Sequence, residues 1–285
     1  MLERLEPGWR THLMFAEFDG LVHEAADHLV VRSPASPLYY WGNFLLFDRL
    51  ATSTDLGPWM QAFDAAIARP QPASGHVAFG MHAHAQTWQA PAAFTAAGFE
   101  AFATTTLVLH RGGLRPAAPP RGVAVEMRPL PLPAQAADLV DLSAACNDVG
   151  YADAAYRAFR ADQMRRYGAM AAAGLGHWFG AVVQGRPVAA LGLFGRDGMG
   201  RFQHVETHPR WRRRGLCRAL VHQACKHGFE QMGWHTLVMC ADPDDVAIGI
   251  YESLGFERQS TQWSLQRRAP ADCPAPAAPA GPDAD

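Results

Sequence analysis

Apolar positions in the second half of this chain change between the two-residue spacing of a strand and the wider spacing of a helix. The wider spacing predicts helices over residues 133–149, 153–173, 213–232 and 244–253. The two-residue spacing predicts strands over residues 122–130, 201–208, 235–241 and 258–266. Two further apolar runs flank Gln184 and Gly185, which favour the tight turn of a β-hairpin. This mixed order of strands and helices indicates an α/β fold.

Two proline-rich stretches interrupt these elements. RGGLRPAAPPRG, residues 111–122, suits neither a helix nor a central strand, and we expect a linker there. Residues 269–285 are of low complexity in Pro and Ala, which predicts a disordered tail. The chain is therefore expected to contain two domains, at residues 1–110 and 123–268.

The two predicted domains end in similar sequences, FTAAGFEAFATTTLVL and YESLGFERQSTQWSLQ. Gly98 and Gly255 lie 157 positions apart, each where a helical pattern ends and a β-rich run begins. At the same offset three residues of the first half recur in the second: Phe99, Glu100 and Thr104 as Phe256, Glu257 and Thr261. A chance match is the alternative, but the position at the end of both halves favours an internal duplication.

The first half contains a strongly apolar and aromatic run, SPLYYWGNFLLF, at residues 36–47. This run predicts a core strand, with a turn or bulge at Gly42 and Asn43. Three histidines, His76, His82 and His84, raise the question of a metal site. Their spacing matches no compact metal site, so surface histidines are the favoured interpretation.

Composition limits the classes of function. Lys and Arg total 25 against 27 acidic residues, whereas nucleic-acid-binding domains usually carry a basic excess. With 49% hydrophobic and 18% charged residues, the composition is that of a globular protein. No apolar run approaches the roughly 18 residues of a membrane span, and the first residues show no signal-peptide pattern. The 5 cysteines form no C-x-x-C pair, so we expect free thiols in a reducing cytoplasm.

One segment departs from this mild charge: HPRWRRRGLC, residues 208–217, places several arginines directly before a glycine. It lies between a predicted strand and a predicted helix, whose Leu216, Leu220 and Ala224 form an apolar stripe. The first turn of a helix presents free N–H groups, and a glycine lets an anion approach them closely. A cradle for a pyrophosphate is therefore favoured over a solvated basic helix start.

The same segment, VETHPRWRRRGLCRALV, resembles motif A of the GCN5-related N-acetyltransferase (GNAT) family, Arg/Gln-x-x-Gly-x-Gly/Ala. Arg212, Gly215 and Cys217 stand at its three defined positions, with Cys217 in place of the usual Gly or Ala. ADPDDVAIGIYESLGF, residues 241–256, resembles a later motif of the family, with Asp244 or Asp245 where many members carry Asn.

This resemblance implies a fold, a co-substrate and a site. The fold is two GNAT-like domains in tandem, each a mixed, mostly antiparallel sheet flanked by helices. The first domain is expected to be degenerate, because Phe94 stands where the second has Tyr251. The co-substrate is acetyl-CoA, with no metal; its pantetheine arm is expected along a strand that splays from the next one. The expected cofactor-binding residues are Val205, Glu206, Thr207, Arg212, Arg213, Arg214, Gly215, Leu216, Cys217, Arg218 and Asp244.

Acetyl transfer to an amine requires a group that removes a proton and one that stabilises the leaving thiolate. Tyr251 is the expected acid, with a core aromatic role as the alternative. Glu206 is the expected base, and His204 or a water is the alternative, since His204 and Glu206 share one face of a strand and Gln203 lies on the other. A bulge, which the family often has, would change these faces. A backbone N–H near Val205 is expected to polarise the thioester carbonyl.

Four residues stand where family members usually contact the acceptor: Asn147, Asp148, Tyr151 and Asp153. Their acidity suits a cationic amine, and a solvated loop is the alternative. The expected function is acetyl transfer from acetyl-CoA to a primary amine, of a small molecule or a protein, by direct attack on the thioester. A non-catalytic acyl-CoA-binding sensor or scaffold is the alternative, and a nucleic-acid-binding module is a third. We expect no nucleic-acid or membrane partner and a monomer or homodimer.

Overall fold

The computed structural model describes residues 1–83, 85, 87–122, 124–148 and 151–269. His84, Cys273 and residues 270–285 of the predicted tail lie outside the described residues. The helices are α1 (Pro7–Asp19), α2 (Leu56–Phe63, continued by a π turn to Ala68), α3 (Ala92–Ala96), α4 (Ala136–Ala145), α5 (Asp153–Ala172), α6 (Leu216–Glu230) and α7 (Ala247–Ser253). The strands are β1 (Leu21–Glu24), β2 (His28–Arg32), β3 (Phe44–Phe47), β4 (Val77–Met81), β5 (Glu100–His110), β6 (Glu126–Leu130), β7 (Gly176–Val183), β8 (Arg186–Arg196), β9 (Met199–Thr207), β10 (Thr236–Ala241) and β11 (Glu257–Arg267).

The described strands join in one sheet, in the order β1-β2-β3-β4-β11-β5-β10-β9-β8-β7-β6. The pairs β3–β4 and β9–β10 are parallel, and each of these pairs is connected through a helix, α2 or α6. The other neighbouring strands run antiparallel. A mixed, mostly antiparallel sheet flanked by helices confirms the predicted fold class.

The two halves of the chain exchange their last strands. β5 ends the first half but lies beside β10, and β11 ends the second half but lies beside β4. β5 and β11 pair with each other, and Thr105 faces Thr261 where Thr104 faces Gln262. Their bounds, 100–110 and 257–267, differ by the same 157 positions as the sequence match. The sheet is therefore nearly two-fold symmetric about this pair and runs across the predicted boundaries at residues 110 and 123, which stay a prediction.

The elements predicted in the second half form. The helices, β6 and β10 are shorter than predicted, whereas β9 and β11 are longer. The turn at Gln184 (φ 50°) and Gly185 (φ 81°) joins β7 to β8, as predicted. α6 begins at Leu216, later than predicted, because Gly215 adopts a left-handed conformation and starts the helix there. α7 begins at Ala247, whose backbone N–H donates to Asp245 Oδ1 at 2.8 Å.

The predicted strand over residues 36–47 is wrong in its first part. Residues 40–42 form a 3₁₀ turn, and Phe44–Phe47 alone from this run join the sheet. The cause is the buried side chain of Asn43, whose amide donates to the carbonyl oxygens of Ser36 and Tyr39 at 2.9 Å each. These bonds hold the backbone of this segment in a turn and satisfy groups that a sheet would otherwise pair.

Helices cover both faces of the sheet around β7 to β10. α6 and α7 pack on one face, where Leu216, Leu220 and Ala224 are buried, so the predicted stripe is confirmed. α1, α4 and α5 pack on the other face, around the buried Trp178 and Phe194. Burial of each large apolar side chain contributes about 1.5–3 kcal/mol. Among the described residues, no helix has both the length and the apolar character needed to cross a membrane.

Candidate functional site

A wedge-shaped gap opens between the parallel strands β9 and β10. The two strands pair over three positions, from Met199 opposite Thr236 to Arg201 opposite Val238. Beyond Arg201, β9 stays paired with β8, and β10 stays paired with β5 up to Ala241. The carboxyl ends of β9 and β10 therefore separate, as the resemblance implies, and the gap leaves backbone groups of β9 free to bind a ligand.

A β-bulge lies in β9 beside this gap. Gln203 pairs with Gly192 and Glu206 with Ala190, so His204 and Val205 together oppose a single residue of β8. His204 adopts φ 44°, a conformation that is uncommon outside glycine. The bulge disturbs the predicted alternation: Gln203, expected on the opposite face from His204, accepts a long hydrogen bond of 3.4 Å from Tyr167 on α5.

The arginine-rich turn ends in an exposed glycine at the start of α6. Gly215 has φ 79°, and a Cβ added there would meet one described atom within 4 Å, Pro120 Cα at 3.9 Å. No side chain among the described residues caps the first turn of α6, so its N–H groups stay available. Leu216, predicted to bind cofactor, is buried in the core, so its backbone alone can face a ligand.

Two arginines of the turn, Arg212 and Arg214, contact other groups of the protein. Arg212 donates to the carbonyl oxygen of Thr207 at 3.1 Å and to Asp148 at 2.8 Å. The guanidinium of Arg214 stacks on Trp211 at 4.9 Å. Arg213 is exposed at φ 63°, a left-handed conformation like that of Gly215. Arg213 and Gly215 thus both have uncommon backbone conformations within one turn, and such turns can direct backbone N–H groups toward an anion.

The predicted linker lies against this turn. The backbone N–H of Arg121 donates to the carbonyl oxygen of Arg214 at 3.0 Å. Arg218 extends away from the turn and donates to the carbonyl oxygens of Pro116 (3.2 Å) and Ser253 (3.5 Å). The segment that connects the two halves of the chain thus forms one side of the glycine turn.

Tyr251 lies in the core beside α6 and belongs to the same buried cluster. The ring is 4% exposed and meets Phe256 edge-on, with ring centroids 6.2 Å apart. Within the described residues the hydroxyl has no hydrogen-bond partner, yet it is not enclosed. Burial raises the pKa of Tyr251 well above its usual value, and the nearby Cys217 and Asp245 raise it further. The phenol therefore stays protonated at neutral pH and can donate a hydrogen bond.

Cys217 lies in the first turn of α6, and Asp244 lies in the loop before α7. Burial raises the pKa of the Cys217 thiol to about 12, so it is neither a thiolate nor a nucleophile at neutral pH. Asp244 is exposed, and its backbone N–H donates to Asp242 Oδ1 at 2.9 Å. The predicted cofactor-binding roles of the turn, of β9 and of Asp244 stay predictions.

Glu206 points toward α4 and α5 and is mostly buried. Its Oε2 accepts a 2.8 Å hydrogen bond from Ser143 Oγ on α4. Arg160 of α5 donates from Nε to the same Ser143 Oγ at 3.1 Å, and its Nη2 lies 3.9 Å from Glu206 Oε1. Burial raises the pKa of Glu206, while the charge of Arg160 and the Ser143 hydrogen bond lower it. The carboxylate is thus held in a low-dielectric site by two partners.

His204, the alternative base, is half-buried and also packs toward α5. Its ring lies 6.5 Å from the rings of Tyr167 and Trp178. Burial, together with the charge of Arg160, holds the pKa of His204 well below its usual value. A ring whose pKa is held this low accepts a proton from a substrate ammonium less readily at neutral pH.

The predicted acceptor residues are largely paired with other groups of the protein. Asp148 binds Arg212, and Asp153 binds Arg157 at 2.9 Å one helical turn away. Asn147 and Tyr151 bond each other through backbone and side chain, with Asn147 Nδ2 donating to the Tyr151 carbonyl oxygen at 2.9 Å. Much of the acidity expected to attract a cationic amine is therefore neutralised, although Tyr151 stays 45% exposed.

Sequence reasoning missed the polar residues that surround Glu206 from α4 and α5. These are Ser143, Cys146, Tyr156, Arg160 and Gln163. Arg160 had a signal: it falls in phase with the apolar side of α5, which contains Met164, Tyr167 and Met170. A charged residue at such a position has to be paired when the helix packs.

The first half contains a turn that corresponds to the glycine turn. Asp55 precedes α2, which connects the parallel strands β3 and β4, as Gly215 precedes α6. Its carboxylate accepts hydrogen bonds of 2.7 Å from the backbone N–H and the hydroxyl of Thr52, and two more of 2.7 Å from Arg49. β3 and β4 stay paired to their ends, where the His82 N–H donates to Phe47. In this half, the turn before the helix thus carries a carboxylate that the protein's own groups bind.

The expectation of surface histidines is wrong for His76, which is 2% exposed. Its ring stacks on Tyr40 at 4.0 Å, and its two nitrogens lie 2.8 Å and 3.0 Å from the carbonyl oxygens of Ser74 and Asn43. In the described part of the chain, no three His, Cys, Asp or Glu side chains converge as metal ligands would.

Comparison with known proteins adds the family. A model of the acetyltransferase (GNAT) family matches residues 136–256. No protein of curated function matches this sequence. A solved structure of a functionally unknown conserved protein from Staphylococcus epidermidis is similar, with 13% identity and a TM-score of 0.66, covering 86% of this chain and 92% of that one.

Two further solved structures are named as members of the family. A GCN5-related N-acetyltransferase from Kribbella flavida has 16% identity and a TM-score of 0.60, covering 90% of this chain and 93% of that one. A tandem GNAT protein from the clavulanic acid biosynthesis pathway has 15% identity and a TM-score of 0.52, covering 82% and 76%. These similarities concern the fold, which matches the two-domain arrangement. The chain therefore carries a domain of the acetyltransferase (GNAT) family at residues 136–256.

Proposed function

We propose that this protein is an acetyl-CoA-dependent N-acetyltransferase that transfers the acetyl group to a primary amine by direct attack on the thioester. Family and fold support acetyl transfer and acyl-CoA binding in general. The observation that carries the finer proposal is the gap between β9 and β10, which lies next to the open turn at Gly215. A thioester in this gap would have Glu206 on the face of α4 and α5, and Tyr251 on the face of α6.

In the proposed reaction the acceptor arrives as an ammonium and loses one proton to Glu206, directly or through a water. The neutral nitrogen attacks the carbonyl carbon, a C–N bond forms, and the C–S bond breaks to release the thiolate of CoA. The backbone at Val205, which the bulge removes from regular pairing with β8, would donate to the carbonyl oxygen. The second ammonium proton leaves the nitrogen as the amide forms and ends on the thiolate.

Tyr251 would act on the sulfur as a hydrogen-bond donor. Its raised pKa keeps the hydroxyl protonated, and for the same reason full transfer of its own proton to a thiol of ordinary pKa near about 8.5 is unfavourable. Donation without full transfer still stabilises charge that develops on the sulfur. This role suits a hydroxyl without a protein partner in the described part of the chain.

A second acyl-CoA site in the first half is not part of this proposal. The Asp55 carboxylate with its four bonds lies at the corresponding turn, and a pyrophosphate would be repelled there. Phe94, at the position that corresponds to Tyr251, is fully buried beside Trp59 and Phe79. These observations support a degenerate first domain and one acetyl-CoA per chain.

Calorimetric titration with acetyl-CoA tests the site. We expect Gly215→Glu to abolish binding, because its carboxylate would lie at the N-terminus of α6 and repel the pyrophosphate. Gly185→Glu is the matched control: Gly185 also has a left-handed φ (81°) and no described atom within 4 Å of an added Cβ, but lies in the β7–β8 hairpin. Binding that survives Gly215→Glu would overturn the proposed cradle.

A screen of primary amines, read out as free thiol released from acetyl-CoA, tests the reaction itself. Release that requires an amine and yields the N-acetyl product supports the proposed transfer. Tight binding of acetyl-CoA without amine-dependent release across small amines and peptides would instead support the non-catalytic sensor.

A further inference from the structure

The buried chain of Arg160, Ser143 and Glu206 has a fixed direction of hydrogen bonding. A guanidinium can only donate, so Ser143 Oγ accepts from Arg160 Nε at 3.1 Å. The single hydroxyl hydrogen of Ser143 is then free to point to Glu206 Oε2, 2.8 Å away. The chain of hydrogen bonds thus ends on an oxygen of Glu206, which accepts more strongly when the carboxyl group is ionised.

Arg160 is a buried cation, and among the described residues Glu206 is the carboxylate paired with it. It is 1% exposed; Nη1 donates to Gln163 Oε1, while Nη2 has no hydrogen-bond partner in the described residues and lies 3.9 Å from Glu206 Oε1. A buried guanidinium is costly unless an opposite charge is near. Glu206 is the carboxylate that its charge meets.

We propose that Arg160, directly and through Ser143, is a positioning residue that fixes the Glu206 carboxylate beside the bulge of β9 and keeps it charged. Arg160 is 1% exposed, so it acts through Glu206 and not on the substrate itself. The role of Glu206 as a base rests on the proposed function, whereas the interaction between Arg160 and Glu206 does not. Other groups near this pair are Cys146 at the end of α4 and Tyr156 of α5, which interact with Glu206, and His204 of β9, which interacts with Arg160.

These other groups do not replace Arg160. Burial raises the pKa of Cys146 to about 11 and raises that of Tyr156, so both stay neutral at neutral pH. Burial keeps His204 neutral as well. Arg160 is therefore the cation that favours the ionised form of Glu206, and its removal is expected to raise the pKa of Glu206 by about 1–3 units.

The test is a ¹³C NMR titration of the side-chain carboxyl carbons in protein labelled at glutamate. The signal of Glu206 is assigned as the one lost in Glu206→Gln. We expect Arg160→Met to move its midpoint upward by about 1 pH unit or more, and Ser143→Ala to move it upward by less. Arg157→Met is the control: Arg157 lies on the same helix but binds Asp141 and Asp153 at the surface.

An unchanged Glu206 midpoint in folded Arg160→Met overturns the proposal, as does an equal shift in Arg157→Met. If Arg160→Met does not fold, Ser143→Ala decides: an unchanged midpoint there overturns the proposal. The titration needs neither acetyl-CoA nor an acceptor, so it stands apart from the proposed function. With an acceptor in hand, the acid limb of kcat/KM should move upward with the midpoint; a limb that stays in place would remove Glu206 as the base while the positioning contact stands.

Discussion

Asp55→Asn should destabilise the first half of this protein more than the loss of an ordinary surface ion pair. Asp55 is 7% exposed, and its carboxylate accepts two hydrogen bonds from Thr52 and two from Arg49, all at 2.7 Å. Asn keeps one acceptor oxygen but loses the charge, and turns an NH₂ group toward a donor. The substitution therefore weakens the whole turn that precedes α2 without a change in side-chain size.

The magnitude follows from the exposure of each partner. A hydrogen bond to a charged group contributes about 1.5–3 kcal/mol, and the partial burial of the two bonds from Thr52 places their combined share at the lower end of this scale. The Arg49 side chain is 44% exposed, so solvent screening reduces its share to that of a surface pair, about 0–1 kcal/mol. We expect Asp55→Asn to lower the free energy of unfolding by about 2–3 kcal/mol.

Urea unfolding at several pH values measures this effect, with Asp64→Asn as the control. Asp64 forms a 2.6 Å ion pair with Arg69 at the surface, worth less than about 1 kcal/mol. The hydrogen bonds from Arg49, then those from Thr52, hold the pKa of Asp55 below its ordinary value. Because the folded pKa is depressed, the stabilisation is complete above about pH 5 and is lost as the pH falls through about 4 and below.

The difference between wild type and Asp55→Asn should thus be constant from neutral pH down to about pH 5 and shrink in more acidic solution. The reasoning is refuted by an Asp55→Asn variant that loses no more stability than Asp64→Asn, or by a difference that grows on acidification.

Four further results are expected. Tyr251→Phe should lower kcat by about 10²-fold or more with acetyl-CoA affinity and melting temperature nearly unchanged, since the hydroxyl has no protein partner in the described residues; an unchanged kcat in steady-state assays removes it as a donor. Calorimetry should find one acetyl-CoA per chain, and two would contradict a degenerate first domain. Gly192→Ala should lower the free energy of unfolding in urea by about 1–3 kcal/mol, because its Cβ would lie 2.6 Å from the buried ring of Trp178. Gly249→Ala, in α7 with open space around it, should raise the free energy of unfolding by about 0.5–1 kcal/mol. Iodoacetamide at pH 7 should leave Cys217 of the folded protein unmodified, since its thiol pKa is raised to about 12; rapid labelling there contradicts the described burial.

Local features of the chain were predictable from the sequence. The turn at Gln184 and Gly185 and the apolar stripe of α6 formed where the pattern placed them, whereas α6 begins after Gly215, later than predicted. Each depends on residues within a few positions of one another, and on backbone preferences that side-chain type reveals. Residues 40–42 form a turn where the apolar pattern predicts a strand, because the buried amide of Asn43 donates to the backbone of this segment.

Partners distant in sequence were decided by the tertiary structure. No local signal indicates that β5 lies beside β10 or that β11 lies beside β4. The same apolar pattern would suit each strand whether it paired within its own half of the chain or with the other half. The bulge in β9 turned Gln203 toward α5 in spite of its alternating pattern. Ser143 and Glu206 are 63 positions apart in the sequence. The position of Arg160 on the apolar side of α5 indicated that it needs a partner, but not which residue that partner is. The sequence by itself determined the elements, the glycine turn and the family resemblance, since these are encoded over short stretches. Packing of α4 and α5 on the sheet decided which charges meet, because a buried charge is stable only where the fold brings its counterpart.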